Sequence, residues 1–162
     1  PTPTPTRIPM FYDECWSEEP VSNYITELVI GNDMCNAESI TELDLIKYHL
    51  LKNVTFGSVC FSYVIVFNIT GLSELESVEI GMNSFTQHKY GYGNDPNRHF
   101  YLKNCPKLKS LKMGRYSFSD YTVIEIENVD ALESIEMGEL NEWSRNFAYA
   151  SLELKSVLIH NE

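Results

Sequence analysis

The chain has 162 residues, 43% of them apolar, and a formal charge of −11 from 12 basic and 23 acidic side chains. That length and apolar content suit one domain with a buried core and exclude a disordered chain. The acidic excess disfavours a phosphate backbone or an anionic membrane as partner, and apolar runs of five residues, as in Tyr63–Phe67, fall far short of the roughly 20 that a spanning helix needs.

Residue 1 is Pro rather than Met, as expected of a processed or trimmed product from which any signal peptide has gone. Residues 1–14 read as an extended Pro/Thr-rich arm, ahead of a single domain at 15–162. Pro holds the backbone in polyproline-II geometry and supplies no core. Alternating Thr and Pro is typical of O-glycosylated stalks, with Thr2, Thr4 and Thr6 as acceptors, or of a bare linker. Ile8, Met10, Phe11 and Tyr12 then form an apolar patch on that tether. Asp13, Glu14, Glu18 and Glu19 lack the spacing of a calcium loop and read as a solvated face.

From residue 24 the sequence repeats. Gly31, Gly57, Gly81, Gly114 and Gly138 recur at intervals of 26, 24, 33 and 24 residues. One place before them stand Ile30, Phe56, Ile80, Met113 and Met137; three before, Leu28, Val54, Val78, Leu111 and Ile135; six before, Ile25, Leu51, Leu75, Leu108 and Leu132. Ahead of the four later glycines a second alternating pair recurs: Leu43 and Leu45, Phe67 and Ile69, Phe100 and Leu102, Ile124 and Ile126. Short stretches of period two indicate strands, so each repeat carries two, separated by turn residues such as Gly71, Pro106 and Asn128.

The segment Leu75-Glu-Ser-Val78-Glu-Ile80-Gly-Met-Asn83-Ser-Phe85 fits the pattern LxxLxLxxNxL, and Leu108 to Phe118 fits it with Tyr116 in the Asn place. In weaker units Val59 and Leu140 stand in the Asn place, and Trp143 falls one place late for the Phe. This pattern resembles the leucine-rich repeats, most closely the short BspA-type repeats of surface proteins, over residues 24–160. The resemblance implies an all-β leucine-rich-repeat solenoid of about five coils with two parallel strand stacks. It also implies a protein-contact surface without catalysis.

Charge supports the stacking. Lys52, Glu76, Lys109 and Glu133 occupy one repeat position, and Glu79, Lys112 and Glu136 another, with alternating sign. On adjacent parallel strands about 4.8 Å apart such columns attract rather than repel. Four cysteines allow three full pairings. Cys105 falls in a core column and Cys60 beside core Phe61, so both read as buried thiols. Cys15 and Cys35 flank the first coil, and their disulfide is the favoured pairing, with four free thiols the alternative.

Asn53-Val-Thr55 and Asn68-Ile-Thr70 are N-glycosylation sequons on outward positions, so Asn53 and Asn68 accept glycan if the chain is secreted. The step to Gly114 carries nine extra residues, which fall within Gln87–His99. Insertions of this kind leave a solenoid on one face and often bind. His88, Tyr90, Tyr92, Asn94 and Arg98 are its partner-contact candidates; a tolerated surface loop is the alternative. No HExxH, CxxC or dinucleotide fingerprint is present, and no catalytic residue, cofactor or metal ligand is assigned.

These readings converge on a non-enzymatic extracellular or cell-surface protein, a glycosylated structural subunit that self-assembles into a fibre or coat. The first repeat lacks its first strand, and the register runs out near Glu162 before a last second strand. Two open ends invite head-to-tail contact, aided by the apolar arm. The alternative is a monomeric recognition or adhesion module that uses the 87–99 loop and strand faces. No nucleic-acid partner and no membrane insertion are expected.

Overall fold

A computed structural model describes Cys15 and residues 23–87, 98–138, 144–148 and 150–156. Among these residues there is no helix, and there are ten strands. They are β1 (Glu27–Ile30), β2 (Glu42–Asp44), β3 (Asn53–Phe56), β4 (Val66–Thr70), β5 (Ser77–Ile80), β6 (His99–Lys103), β7 (Ser110–Met113), β8 (Val123–Glu127), β9 (Ser134–Met137) and β10 (Ser151–Lys155). Odd-numbered strands stack in the order β1-β3-β5-β7-β9, and even-numbered strands in the order β10-β8-β6-β4-β2. Every pairing is parallel. The fold is an all-β solenoid in which the chain alternates between the two sheets.

The repeat columns are the strand register. Leu28 pairs with Val54, Val54 with Val78, Val78 with Leu111 and Leu111 with Ile135. Side chains alternate between the inside of the coil and its surface, so the period-two pattern becomes the burial pattern of β3 to β8. Glu79, Lys112 and Glu136 stand in one row, and Lys112 Nζ lies 3.9 Å from Glu136. Glu76 and Lys109 also occupy successive coils, with the Lys109 N–H donating to the Glu76 carbonyl at 2.9 Å. The ion pair at that corner is Glu74 with Lys107 at 2.8 Å, each two residues before the expected partner.

The glycine column has a packing reason. A Cβ on Gly81 would lie 2.6 Å from the carbonyl carbon of Gly57 and from the Ser58 nitrogen, and one on Gly114 would lie 2.8 Å from the carbonyl carbon of Gly81. Successive coils approach here with backbone against backbone. Gly81→Ala is expected to force neighbouring coils apart and to cost about 1–3 kcal/mol, the usual range for overpacking. Urea denaturation checks this, and an unchanged midpoint would contradict it.

After each odd strand two residues, spaced by one, take left-handed φ. They are Asp33 and Cys35, Val59 and Phe61, Asn83 and Phe85, Tyr116 and Phe118, and Arg145 and Phe147. The first of a pair donates its N–H forward, as Val59 does to Met82 O and Asn83 to Arg115 O. The second donates back, as Phe85 does to Cys60 O and Phe118 to Ser84 O. These bonds carry the inter-coil ladder round the corner and offset a strain of roughly 1–3 kcal/mol per bulky residue. The same turn aims one ring per coil inward. Phe61, Phe85, Phe118 and Phe147 form a stack with centroids 5.1, 4.6 and 4.9 Å apart. In the last coil the spine residue is therefore Phe147, with Arg145 in the Asn place, which corrects the expectation of Trp143 and Leu140; those two residues lie outside the described set. Arg145 and Phe147 stand further along the sequence from Gly138 than Tyr116 and Phe118 do from Gly114, so local counting from the glycine misses the ring.

Candidate interaction surfaces

Cys35 occupies in the first coil the place that phenylalanine holds in the others, with the same left-handed φ. It is bonded to Cys15, with the two Cα atoms 4.5 Å apart. The disulfide thus sits at the start of the aromatic spine. The inward residues of β1 are buried: Leu28 and Ile30 are 0% and 1% exposed.

Cys60 and Cys105 are free and buried. Cys60 Sγ donates to the Gly31 carbonyl at 3.0 Å, as Ser84 Oγ does to Gly57 at 2.8 Å and Ser117 Oγ to Gly81 at 2.6 Å. Burial pushes both thiols above their ordinary pKa, which keeps them neutral where the thiolate is the reactive form. Neither is expected to react with a thiol reagent near neutral pH, and both should react once the chain is unfolded. Fast labelling of the native protein would contradict this.

The base of the 87–99 insertion is a buried polar clamp. Asp120, at the corner of the next coil, accepts the Gln87 N–H at 2.8 Å and is hydrogen-bonded to the Thr86 hydroxyl and to Ser119 Oγ at 3.1 Å. Arg98 Nη1 lies 3.9 Å from the same carboxylate, with both side chains more than nine-tenths buried. The Arg98 carbonyl accepts the Thr122 N–H at 3.0 Å. Beneath the clamp, Tyr121 donates its hydroxyl to the Val64 carbonyl at 2.6 Å, and burial raises its pKa. Arg98 is thereby corrected from a partner-contact residue to an anchor, since its charge faces Asp120 and the interior. His88, Tyr90, Tyr92 and Asn94 lie outside the described residues, as do Thr2, Thr4, Thr6, Ile8, Met10, Phe11 and Tyr12.

The outer faces of the sheets are polar. Asn53 opens β3 and is exposed, with its Oδ1 accepting from Ser77 Oγ at 2.7 Å. Asn68 sits at the middle of β4 and is half-buried between neighbouring strands. On the second sheet Lys103 Nζ reaches Glu125 at 2.8 Å and Glu127 at 3.8 Å, and its hydrogen bond to Glu125 raises its pKa. Among the described residues no three potential metal ligands cluster, and no helix is long and apolar enough to cross a membrane.

The far end differs from the first coil. Ile135 and Met137 of β9 are 40% and 49% exposed, and Leu152 and Leu154 of β10 are each 65% exposed. All four face the same way as buried residues of earlier coils, so the expectation that Ile135 and Met137 are core is corrected for this last coil. Among the described residues β9 and β10 each have a ladder partner on one side only, as β1 and β2 do at the other end. The result is an apolar end flanked by two strand edges.

Comparison with known proteins finds no matching family model, no matching curated protein and no matching solved structure.

Proposed function

We propose that the chain is a non-catalytic structural module of an extracellular or cell-surface assembly, built from leucine-rich-repeat-like coils, that self-associates through the open end of its solenoid. The observation that carries this reading is the exposed set Ile135, Met137, Leu152 and Leu154 on β9 and β10, which among the described residues have a ladder partner on one side only. Apolar ends of repeat arrays need a cover, and open edges recruit strands. The Cys15–Cys35 bond supports an oxidising compartment. The outward positions of Asn53 and Asn68 suit glycan attachment there.

A head-to-tail fibre is one form of this assembly. It needs the first coil to be uncovered, whereas Leu28 and Ile30 are buried. The clamp under the insertion supports a second reading, a monomeric recognition module that presents the 87–99 loop. Sedimentation velocity over a range of concentrations separates the two. Species heavier than the 18.6 kDa chain, growing with concentration, are expected. A strict monomer throughout would overturn self-association.

A further inference from the structure

We infer that Asn53 and Asn68 are both N-glycosylation sites, so that each of the two opposed sheets carries a glycan on its outer face. The inference rests on the extracellular reading above and assigns the positions at which that compartment modifies the chain.

The sequence supplies two acceptors. Asn53-Val-Thr55 and Asn68-Ile-Thr70 each place a hydroxyl residue two positions after the Asn, with no Pro between. The fold sets both on the surface. Residues two apart in a strand share a face. Each sequon lies along its strand with Asn and Thr outward, while the middle residue, Val54 or Ile69, is fully buried. The inner faces of β3 and β4 meet across the core, with the rings of Phe56 and Phe67 6.1 Å apart between centroids. The two Asn therefore stand on opposite outer faces of the solenoid. A bulky, hydrated group needs such a position.

The state of the two amides suits the reaction. A hydroxyl holds each carbonyl oxygen: Thr70 Oγ1 donates to Asn68 Oδ1, and Ser77 Oγ of the next coil donates to Asn53 Oδ1 at 2.7 Å. Among the described residues neither Nδ2 has a hydrogen-bond partner. The co-reactant is an oligosaccharide linked to a lipid diphosphate. A bond forms between Nδ2 and the anomeric carbon of the first sugar, and the bond from that carbon to the diphosphate oxygen breaks. The amide gives up one proton, and the lipid diphosphate leaves. The modified side chain keeps its carbonyl oxygen and one N–H, so both hydroxyl bonds survive in the folded protein. The ladder neighbours, Glu27 and Ser77 beside Asn53 and Asp44 and Tyr101 beside Asn68, are not buried. Neither sugar has to displace core.

The test sends the full chain through the secretory pathway of a eukaryotic host behind a host signal peptide. A peptide N-glycosidase releases N-linked sugar and leaves Asp in place of Asn, which peptide mass spectrometry reads. Asp is expected at both positions, with the loss of two glycans per chain. Thr55→Val and Thr70→Val are each expected to lose one glycan, since Val keeps the branched strand side chain and removes only the hydroxyl that the sequon requires. A secreted chain with Asn intact at either position would overturn the assignment there. A glycosylated chain retained in the cell, and released by Thr70→Val, would show that the second sheet does not tolerate the sugar and would overturn the assignment of Asn68. Native material without glycan, where the redirected chain carries both, would overturn the extracellular reading and with it the modification in the protein's own cell.

Discussion

Replacing Phe85 with alanine is expected to destabilise the protein by about 3–5 kcal/mol. Phe85 is fully buried at the middle of the aromatic spine. Its ring stacks on Phe118 at 4.6 Å, on Phe61 at 5.1 Å and on Phe67 at 4.6 Å, so the cavity opens among rings of three coils. Its backbone also holds a left-handed φ of 56°. Alanine keeps that unfavourable conformation and loses the burial that offset it. Small domains have total stabilities of only about 5–15 kcal/mol. Urea denaturation followed by circular dichroism should therefore show a large fall in midpoint. Phe147→Ala, at the half-buried end of the same stack, is expected to cost less. Equal effects at the two sites would refute the view that the spine is an interior device held from both sides.

Asp120→Ala is expected to cost about 3–5 kcal/mol, because it removes the carboxylate that faces a buried guanidinium. Arg98 and Asp120 are both nearly inaccessible, and the carboxylate also accepts the Gln87 N–H at 2.8 Å. Its removal takes the facing carboxylate from a buried cation, which keeps contacts of 3.5 Å to the Ser62 and Val64 carbonyls, and leaves the Gln87 N–H without its acceptor. Adding Arg98→Met should recover part of the loss by removing the stranded charge. Full recovery is not expected, since the Gln87 N–H stays unsatisfied. The amide of Gln87 should exchange its hydrogen faster in the single variant, because that amide closes one side of the insertion. A cost below about 1 kcal/mol with unchanged exchange would show that the clamp holds nothing.

What was legible in the sequence is what a neighbouring coil repeats. Each coil meets nearly the same surroundings, so the demand for an apolar side chain at Val54, Val78 or Leu111 recurs in step with the chain. The eye can count it, and the strand register follows. Alternating charge at Glu79, Lys112 and Glu136 was readable for the same reason. Cys15 and Cys35 were readable as a pair because they flank the first coil, and the structure joins them.

Other features depend on residues from different coils meeting in space. Arg98 looked like part of an exposed loop because its partner Asp120 belongs to the next coil, and nothing local marks the pair. Gly81 stood out as a repeat, but its necessity is the carbonyl carbon of Gly57 close to where a Cβ would be. Phe147 escaped because its corner is longer than the others. The end of the solenoid separates the two kinds of information most clearly. Leu152-x-Leu154 in β10 has the same alternation as Leu43-x-Leu45, which begins in β2 and ends on the residue after it, and both pairs stand in the inward columns of the coil. Leu45 is buried and Leu154 is exposed, because facing inward is a property of the strand, whereas burial requires a further layer beyond the coil. Alternation along the chain says which side of each strand is apolar, whereas contacts between coils decide which of those sides is covered.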